Sequence, residues 1–282
     1  MEICKTIASI KDFVKEAKTS EKVIGLVPTM GALHHGHLKL IKESNQKCDL
    51  TIASIFVNPT QFNNPDDLAK YPRTLEDDLK KLREAGCDAV FLPESTEVYP
   101  SKPTLKINFE PLASELEGKF RPGHFDGVGL VVSKLFNIIQ PHHAFFGQKD
   151  LQQFFIIKTL RDQLNFPIEL TMVPTVREVN GLAMSSRNMR LGSEEKTEAS
   201  LIYKALKKAQ EGLIAGKELH DVTYEVKELF RMSNRLHLEY FEIVDTDTFQ
   251  PLERIDDKEK TALCIAAEIG QVRLIDNLML IS

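Results

Sequence analysis

The sequence of 282 residues lacks the features that mark several classes of protein. Its formal net charge is −5, whereas nucleic-acid-binding proteins usually carry a basic excess, so we expect no nucleic-acid partner. It contains no run of about 18 apolar residues, the length that a membrane-spanning helix requires. Its first residues, Met1–Lys5, lack the apolar core of a signal peptide. We therefore expect a cytoplasmic protein with no membrane partner.

Cysteine is also scarce and scattered. The four cysteines, Cys4, Cys48, Cys87 and Cys264, show no metal-ligand spacing and no pattern of a disulfide framework. Reduced thiols are the simplest interpretation. The chain contains neither an internal repeat nor a low-complexity segment, and its length predicts a large core and two domains.

The first part of the sequence alternates short apolar runs with helical patterns. The predicted strands are Val23–Thr29, Leu50–Val57, Ala89–Leu92, His143–Phe146 and Ile168–Val173, and the predicted helices are His37–Lys47, Leu75–Ala85, Val128–Ile139 and Leu151–Leu164. This alternation predicts an α/β domain over residues 1–175 with a Rossmann-like, doubly wound parallel sheet. Ligands of such sheets bind at the carboxyl ends of the strands, so we expect Pro28–His37, Asn58–Phe62 and Gly147–Asp150 to lie together.

The pattern changes after Thr175. The predicted helices are Ser193–Leu213 and Leu219–Met232, and the predicted strands, without intervening helices, are Leu238–Val244, Ala262–Ala267 and Val272–Asp276. Residues 176–282 are therefore expected to form a second, smaller α+β domain.

A turn rich in histidine, Met30–His37, lies between a predicted buried strand and a predicted helix. Its backbone N–H groups and the helix dipole could face an anion, and Gly31 and Gly36 allow a phosphate to approach closely. His34 and His37 are three residues apart and could donate hydrogen bonds to phosphate oxygens. A metal site and a purely structural cluster are the alternatives. The turn differs from the Walker pattern, which requires Gly-Lys-Ser/Thr, and it favours nucleotidyl transfer.

Other polar residues follow predicted strands. Gln61 could bind a hydroxyl or carboxylate, or it could be a loop amide facing water. Lys149 could reach a triphosphate as a point charge. Asp150 could bind a ribose or cap the following helix.

Two further segments carry similar ambiguity. Ser185–Arg187 offers two hydroxyls and a guanidinium, which suit a phosphate clamp, although a serine-rich turn would look the same. Arg73, Asp77 and Asp78 could contribute charge or hold Mg²⁺, whereas a solvated helix face is the ordinary interpretation of such residues.

Six segments in series resemble the pantoate–β-alanine ligase family of the adenylylating HIGH-motif superfamily. They are Val27–Leu38, Phe56–Phe62, Tyr71–Thr74, Arg121–Val128, Phe146–Gln153 and Gly181–Asn188. Two positions depart from the family pattern, His35 and Gln148, where acidic residues are usual.

The resemblance implies an ATP-dependent ligase of pantothenate and coenzyme A biosynthesis. ATP and pantoate would give pantoyl adenylate and pyrophosphate, and β-alanine would then displace AMP to form pantothenate. Mg²⁺ would accompany ATP, the second domain would act as a lid, and the protein would be a homodimer. A nucleotidyltransferase that releases a stable adenylylated product is the alternative enzyme, and a catalytically inactive ATP-binding module is the alternative outside enzymes.

The resemblance also implies roles for residues of this sequence. His37, as an acid, with His34 and Lys149 would be catalytic. Gln61 and Gln153 would hold pantoate or β-alanine between Met30 and Phe146, and Asp77 would contribute to Mg²⁺ binding. The residues implied to bind ATP are Met30, Gly31, Ala32, Leu33, His34, His35, Gly36, His37, Gly147, Gln148, Lys149, Asp150, Val176, Met184, Ser185, Ser186 and Arg187.

Overall fold

The structure, a computed structural model, describes residues 1–281 as two compact units. The first unit comprises residues 1–109, 121–148 and 156–174. The second comprises residues 110–120, 149–155 and 175 onward. Two short segments that precede residue 175 thus belong to the second unit. The roles expected of the two domains, substrate binding and a lid, stay predictions.

The elements are numbered in chain order. The strands are β1 (Glu2–Cys4), β2 (Ile24–Thr29), β3 (Leu50–Ile55), β4 (Ala89–Phe91), β5 (His143–Gly147), β6 (Glu169–Val173), β7 (Leu236–Asp245), β8 (Thr261–Ile269) and β9 (Val272–Met279). The helices are α1 (Ile7–Thr19), α2 (His35–Lys47), α3 (Pro65–Ala69), α4 (Leu75–Glu84), α5 (Ser95–Val98), α6 (Glu117–Phe120), α7 (His124–Ile139), α8 (Leu151–Gln163), α9 (Ser193–Ala199), α10 (Leu201–Ile214) and α11 (Leu219–Arg231).

The first unit is built on a six-stranded parallel sheet in the order β1-β4-β3-β2-β5-β6. Its central strands are mostly apolar, as expected where both faces of a sheet are buried, and Leu26, Ile52 and Phe145 have no exposed surface. From β2 the chain runs outward to β3 and β4, then returns to β5 on the other side. This reversal creates a crevice at the carboxyl ends of β2 and β5, where doubly wound sheets bind ligands.

The predicted fold class is confirmed. The second unit carries a three-stranded antiparallel sheet, β7-β8-β9. Its core combines side chains of the sheet and of α10 and α11, among them Leu206, Val226, Phe241 and Ile265. Within residues 1–281, no helix is long and apolar enough to cross a membrane.

The structure differs from the sequence predictions at several boundaries. β1 and α1 lie before the first predicted element. The single helix expected over Ser193–Leu213 is two helices, α9 and α10. Ser200 separates them, because its N–H donates to the Thr197 carbonyl three residues back and so tightens the turn.

Candidate active site

The histidine turn, Met30–His37, follows β2 and leads into α2. His34 is the N-cap of α2: its Nδ1 accepts the Gly36 N–H at 3.1 Å, while His37 Nδ1 accepts the His34 N–H at 3.3 Å. A neutral imidazole that accepts through Nδ1 carries its proton on Nε2. Both half-buried rings, whose centroids are 4.1 Å apart, therefore have an Nε2–H donor. His35 is exposed.

The preceding loop is held by a carboxylate of α4. Asp78, 1% exposed, accepts the Ala32 N–H at 2.8 Å and the Leu33 N–H at 2.7 Å. Gly31 has a φ of +81°, and a side chain there would meet Asp78 at 3.1 Å. The N–H groups of Ala32 and Leu33 therefore face an anion of the protein itself, the Asp78 carboxylate, and a phosphate at this turn would have to use other donors. The interpretation of Asp78 as part of a solvated helix face is wrong.

Gln61 follows β3, the neighbour of β2 in the sheet, and is 7% exposed. The interpretation of Gln61 as an amide facing water is therefore wrong. Its Oε1 accepts a hydrogen bond from Asn58 Nδ2 at 2.9 Å, and its Nε2 lies 3.4 Å from Met30 Sδ. Asn58 thus orients the amide so that Nε2, a donor, is on the side of Met30.

The backbone around Gln61 is fixed by the N-terminal part of α7. The Gln61 carbonyl oxygen lies 2.9 Å from Nδ1 of His124, a buried residue of α7. The Nε2 of the same ring lies 3.1 Å from Nη1 of Arg121. Since the guanidinium can only donate, the neutral ring accepts at Nε2 and donates from Nδ1 to the Gln61 carbonyl. A side chain at Gly127 would come within 2.4 Å of the Thr60 oxygen, so this close approach requires glycine.

The end of β5 completes this edge of the first unit. Phe146 is buried, and the position of a side chain at Gly147 is open space. The segments after β2 and β3 therefore lie at adjacent strand ends together with Gly147 and Gln148, as expected. Lys149 and Asp150 belong instead to the second unit.

In the second unit, Lys149 precedes α8. Its Nζ lies 3.2 Å from Asp150 Oδ1, and the lysine side chain is 17% exposed against 48% for the aspartate. The next residues differ in environment. Gln153 is half-buried, whereas Gln152 is 4% exposed and binds the backbone of Leu112, Glu115 and Glu117.

Val176 and Met184 lie together, because the Met184 N–H donates to the Val176 carbonyl at 2.9 Å. This hairpin leads into a short 3₁₀ helix over Ser186–Arg190, capped by Ser185, whose hydroxyl accepts the Arg187 N–H. Asn188 closes the hairpin by donating to the Glu178 carboxylate and the Ala183 carbonyl. The Ser185–Arg187 segment is thus a capped helical turn rather than a flexible loop.

No group of three or more His, Cys, Asp or Glu within residues 1–281 is arranged to hold a metal ion. This finding argues against the three-histidine metal site. Asp77 is half-exposed and forms an ion pair at 2.6 Å with Lys81, whose Nζ also donates to the Leu33 carbonyl. The residues present therefore do not form a preorganised Mg²⁺ site.

The supporting roles of several residues near these segments were not predicted from the sequence. Asp78, Asn58 and His124 act through backbone or amide contacts that no local pattern indicates. In the second unit, Asp276 and Asn277 on β9 bind Arg177 and the Lys149 carbonyl. The buried polar character of these positions would have been the only available signal, and burial is not visible in a single sequence.

The switch of the parallel sheet at β2 and β5, with a histidine-capped helix after β2, defines a doubly wound α/β protein with a ligand crevice beside that helix. A family model described as pantoate-beta-alanine ligase matches residues 2–279. The chain therefore belongs to the pantoate–β-alanine ligase family.

Relatives and solved structures agree with this assignment. Proteins named pantothenate synthetase from Cytophaga hutchinsonii and Porphyromonas gingivalis are each 47% identical, covering 98% and 99% of both chains respectively. The crystal structure of pantothenate synthetase from Thermus thermophilus superimposes with a TM-score of 0.93 at 37% identity over 99% of each chain. That of pantoate-beta-alanine ligase from Francisella tularensis, complexed with beta-gamma ATP and beta-alanine, gives 0.84 at 35% identity over 100% of this chain and 98% of that one.

Proposed function

We propose that the protein condenses pantoate with β-alanine in two steps at the expense of ATP. In the first, a carboxylate oxygen of pantoate bonds to the α-phosphorus of ATP, and the bond from that phosphorus to the bridging oxygen breaks, releasing pyrophosphate. In the second, the β-alanine amine bonds to the acyl carbon and loses a proton as AMP leaves. The substrates supply both nucleophiles, so no covalent enzyme intermediate is needed.

One observation carries the first step: the two imidazoles of the histidine turn are oriented by the backbone of α2. Because both Nδ1 atoms accept N–H groups, each ring carries its proton on Nε2 and can donate it to an anion at the carboxyl end of β2. Such preorganised donors stabilise charge that develops on phosphate oxygens. His37 would act as the acid, and His34 as its neighbouring donor.

The acid to be activated would be recognised by Gln61. Its Oε1 is engaged by Asn58, so its Nε2 can donate to a hydroxyl or carboxylate oxygen beside the thioether of Met30. Phe146 would provide a second apolar wall, and Gln153 a second amide. A hydroxyl-bearing aliphatic acid such as pantoate has the matching combination of polar and apolar groups.

The second unit would contribute cationic groups for the triphosphate. Lys149 would provide a point charge, and Ser185–Arg187 would provide hydroxyl, backbone and guanidinium donors. Asp150 would bind the ribose, and Val176 and Met184 the nucleoside. Mg²⁺, which usually keeps several water ligands and binds through substrate phosphates, would neutralise phosphate charge with at most a single carboxylate such as Asp77.

The test measures products by omission of one substrate at a time. With Mg²⁺, ATP, pantoate and β-alanine, purified protein should form pantothenate and AMP in equal amounts. Without β-alanine, pyrophosphate release should stop after about one equivalent per site, because the adenylate stays bound. Sustained pyrophosphate release without β-alanine would indicate a nucleotidyltransferase, and ATP binding without any product would indicate an inactive module.

We also propose a cytoplasmic location, which rests on the sequence composition, and a homodimer, which rests on the resemblance to the family. Sedimentation of the purified protein would test the second.

A further inference from the structure

The carbonyl oxygen of Lys149 accepts a hydrogen bond from the side chain of Asn277, 128 residues away in the sequence. The distance from Asn277 Nδ2 to this oxygen is 2.8 Å, and Asn277 is 3% exposed. A buried amide that donates to a backbone carbonyl fixes the course of the chain at that point. Lys149 is thus held at its backbone, while its side chain is left to interact elsewhere.

Asn277 is itself fixed by the neighbouring carboxylate. Its backbone N–H donates to Asp276 Oδ1 at 2.8 Å. Asp276, 3% exposed, binds Arg177 through two hydrogen bonds of 2.5 and 3.0 Å. Burial raises the pKa of Asp276 above its ordinary value, and the Arg177 guanidinium opposes this rise. The Arg177 guanidinium is thus the cationic partner of the buried carboxyl group next to Asn277.

Arg177 connects this arrangement to the hairpin before Ser185–Arg187. Its guanidinium carbon lies 3.9 Å from the centroid of the Tyr203 ring, and its NH1 donates to the Gly181 carbonyl at 3.2 Å. Arg177 also pairs with Ala183 through its backbone. Two adjacent residues of β9 thus contact two different segments: Asn277 binds the backbone at Lys149, and Asp276 binds Arg177 in the hairpin that carries Met184.

We propose that Asn277, held by the Asp276–Arg177 pair, is a positioning residue for Lys149. This inference rests on the catalytic role proposed for Lys149. Asn277 need not touch substrate; it sets where the lysine backbone lies relative to Ser185–Arg187 within the second unit. Displacements of about 1 Å at groups that position a reaction cost up to about 100-fold in rate.

A double-mutant cycle in single-turnover pyrophosphate release tests the proposal. Asn277→Ala should lower the rate between about 10- and 100-fold in the wild-type background. In a Lys149→Ala background the same substitution should change the rate by less than about 2-fold, because the group through which it acts is gone. An equal loss in both backgrounds would show a merely structural role and overturn the proposal.

The matched control is Gln210→Ala. Gln210 Nε2 donates to the Met279 carbonyl at 2.8 Å, so this variant also removes an amide-to-carbonyl bond at the end of β9. It should lower the melting temperature without changing the rate. A rate loss like that of Asn277→Ala would again overturn the proposal. Should Asn277→Ala fail to fold, Asn277→Ser replaces it in the cycle.

The wild-type protein is measured first in the same assay. If it forms no pantothenate, the proposed function itself fails. If it is active and the cycle is additive, only the positioning role fails.

Discussion

The two units hold their candidate site residues by different means. In the first unit the side chains themselves are oriented by contacts that are short in sequence: His34 and His37 cap one helix end, and Asn58 orients Gln61 three residues away. The backbone near them is held from farther along the chain, by Asp78 and His124. In the second unit the contacts join distant parts of the chain. Arg177 binds Asp276 across 99 residues, and Asn277 binds the Lys149 carbonyl across 128.

This difference separates two ways of building a site. Local caps place a side chain as soon as the helix forms, and they use backbone groups that would otherwise be unsatisfied. Long-range pairs place a side chain only when the whole unit has folded. Where such a pair is ionic and buried, removing one partner leaves an unpaired buried charge and strongly destabilises the protein. The local contacts should therefore tolerate single changes better than the distant pairs.

The largest expected effect is on turnover. Lys149→Ala and His37→Ala should each lower kcat by about 10² to 10³, since each removes a group that we propose to stabilise transition-state charge. Their stabilities should differ: Lys149 loses a partly exposed ion pair worth up to about 1 kcal/mol, whereas His37 loses a cap interaction worth about 1 kcal/mol and a packed ring. Steady-state rates and melting temperatures measure both, with the exposed Lys204→Ala as the control. Near-normal turnover in a folded variant would refute the catalytic role.

Breaking the buried pair should have the largest effect on stability. Arg177→Ala should lower the free energy of unfolding by about 3 to 5 kcal/mol, because it leaves the Asp276 carboxylate buried and unpaired. The control is Arg235→Ala, which breaks a surface pair with Glu194 at 2.9 Å and should cost at most about 1 kcal/mol. Denaturant titration measures both. Equal losses in the two variants would contradict the view that the buried long-range pair stabilises the second unit more than a surface pair does.

Adjacent aspartates on α4 sharpen the comparison within the first unit. Asp78→Ala should cost about 2 to 4 kcal/mol, because the buried N–H groups of Ala32 and Leu33 lose their acceptor. Asp77→Ala removes only a half-exposed pair with Lys81 and should cost about 1 kcal/mol or less. Asp78→Asn, which keeps one acceptor, should fall between them. Similar losses for both alanine variants would contradict the anchoring role of Asp78.

The smallest effect concerns alkaline pH. Burial raises the pKa of the Cys87 thiol from 9.0 to about 12. Between these values the unfolded chain releases the proton and the folded chain keeps it, so the contribution of Cys87 to stability is complete below pH 9 and falls as the pH rises. Cys87→Ala should therefore make the alkaline loss of stability less steep, by up to about 1.4 kcal/mol per pH unit.

Melting temperatures across pH 8 to about 11 would measure this slope. The control is Cys48→Ala, because burial raises the pKa of the half-buried Cys48 thiol less strongly than that of Cys87. A slope unchanged by Cys87→Ala would contradict the expected proton retention.

Sequence patterns predicted every sheet strand of both units except β1, and the three segments at the strand ends, because apolar runs and turn residues report directly on buried strands. They also singled out the histidine turn, Gln61 and Lys149. They did not predict that the Ala32 and Leu33 amides are occupied by Asp78, since a carboxylate in a charged helix looks the same whether it is buried or solvated. The partners Asp276 and Asn277 escaped for a related reason: pairs separated by about a hundred residues leave no periodic signal.

The second unit is assembled from segments that are synthesised at different times, because it includes residues 110–120 as well as residues from 175 onward. Glu117, on α6, binds Arg273 through two hydrogen bonds of 2.8 and 2.7 Å, and 156 residues separate them. At about 5 to 20 residues per second, a ribosome would expose Glu117 roughly 8 to 30 s before Arg273 exists. A fragment starting at residue 175 would lack Glu117 altogether, and its Arg273 would keep only Glu239 as a carboxylate partner among these contacts. The second unit is therefore the last to be completed, although one of its buried anions is among the earlier parts of the chain to emerge.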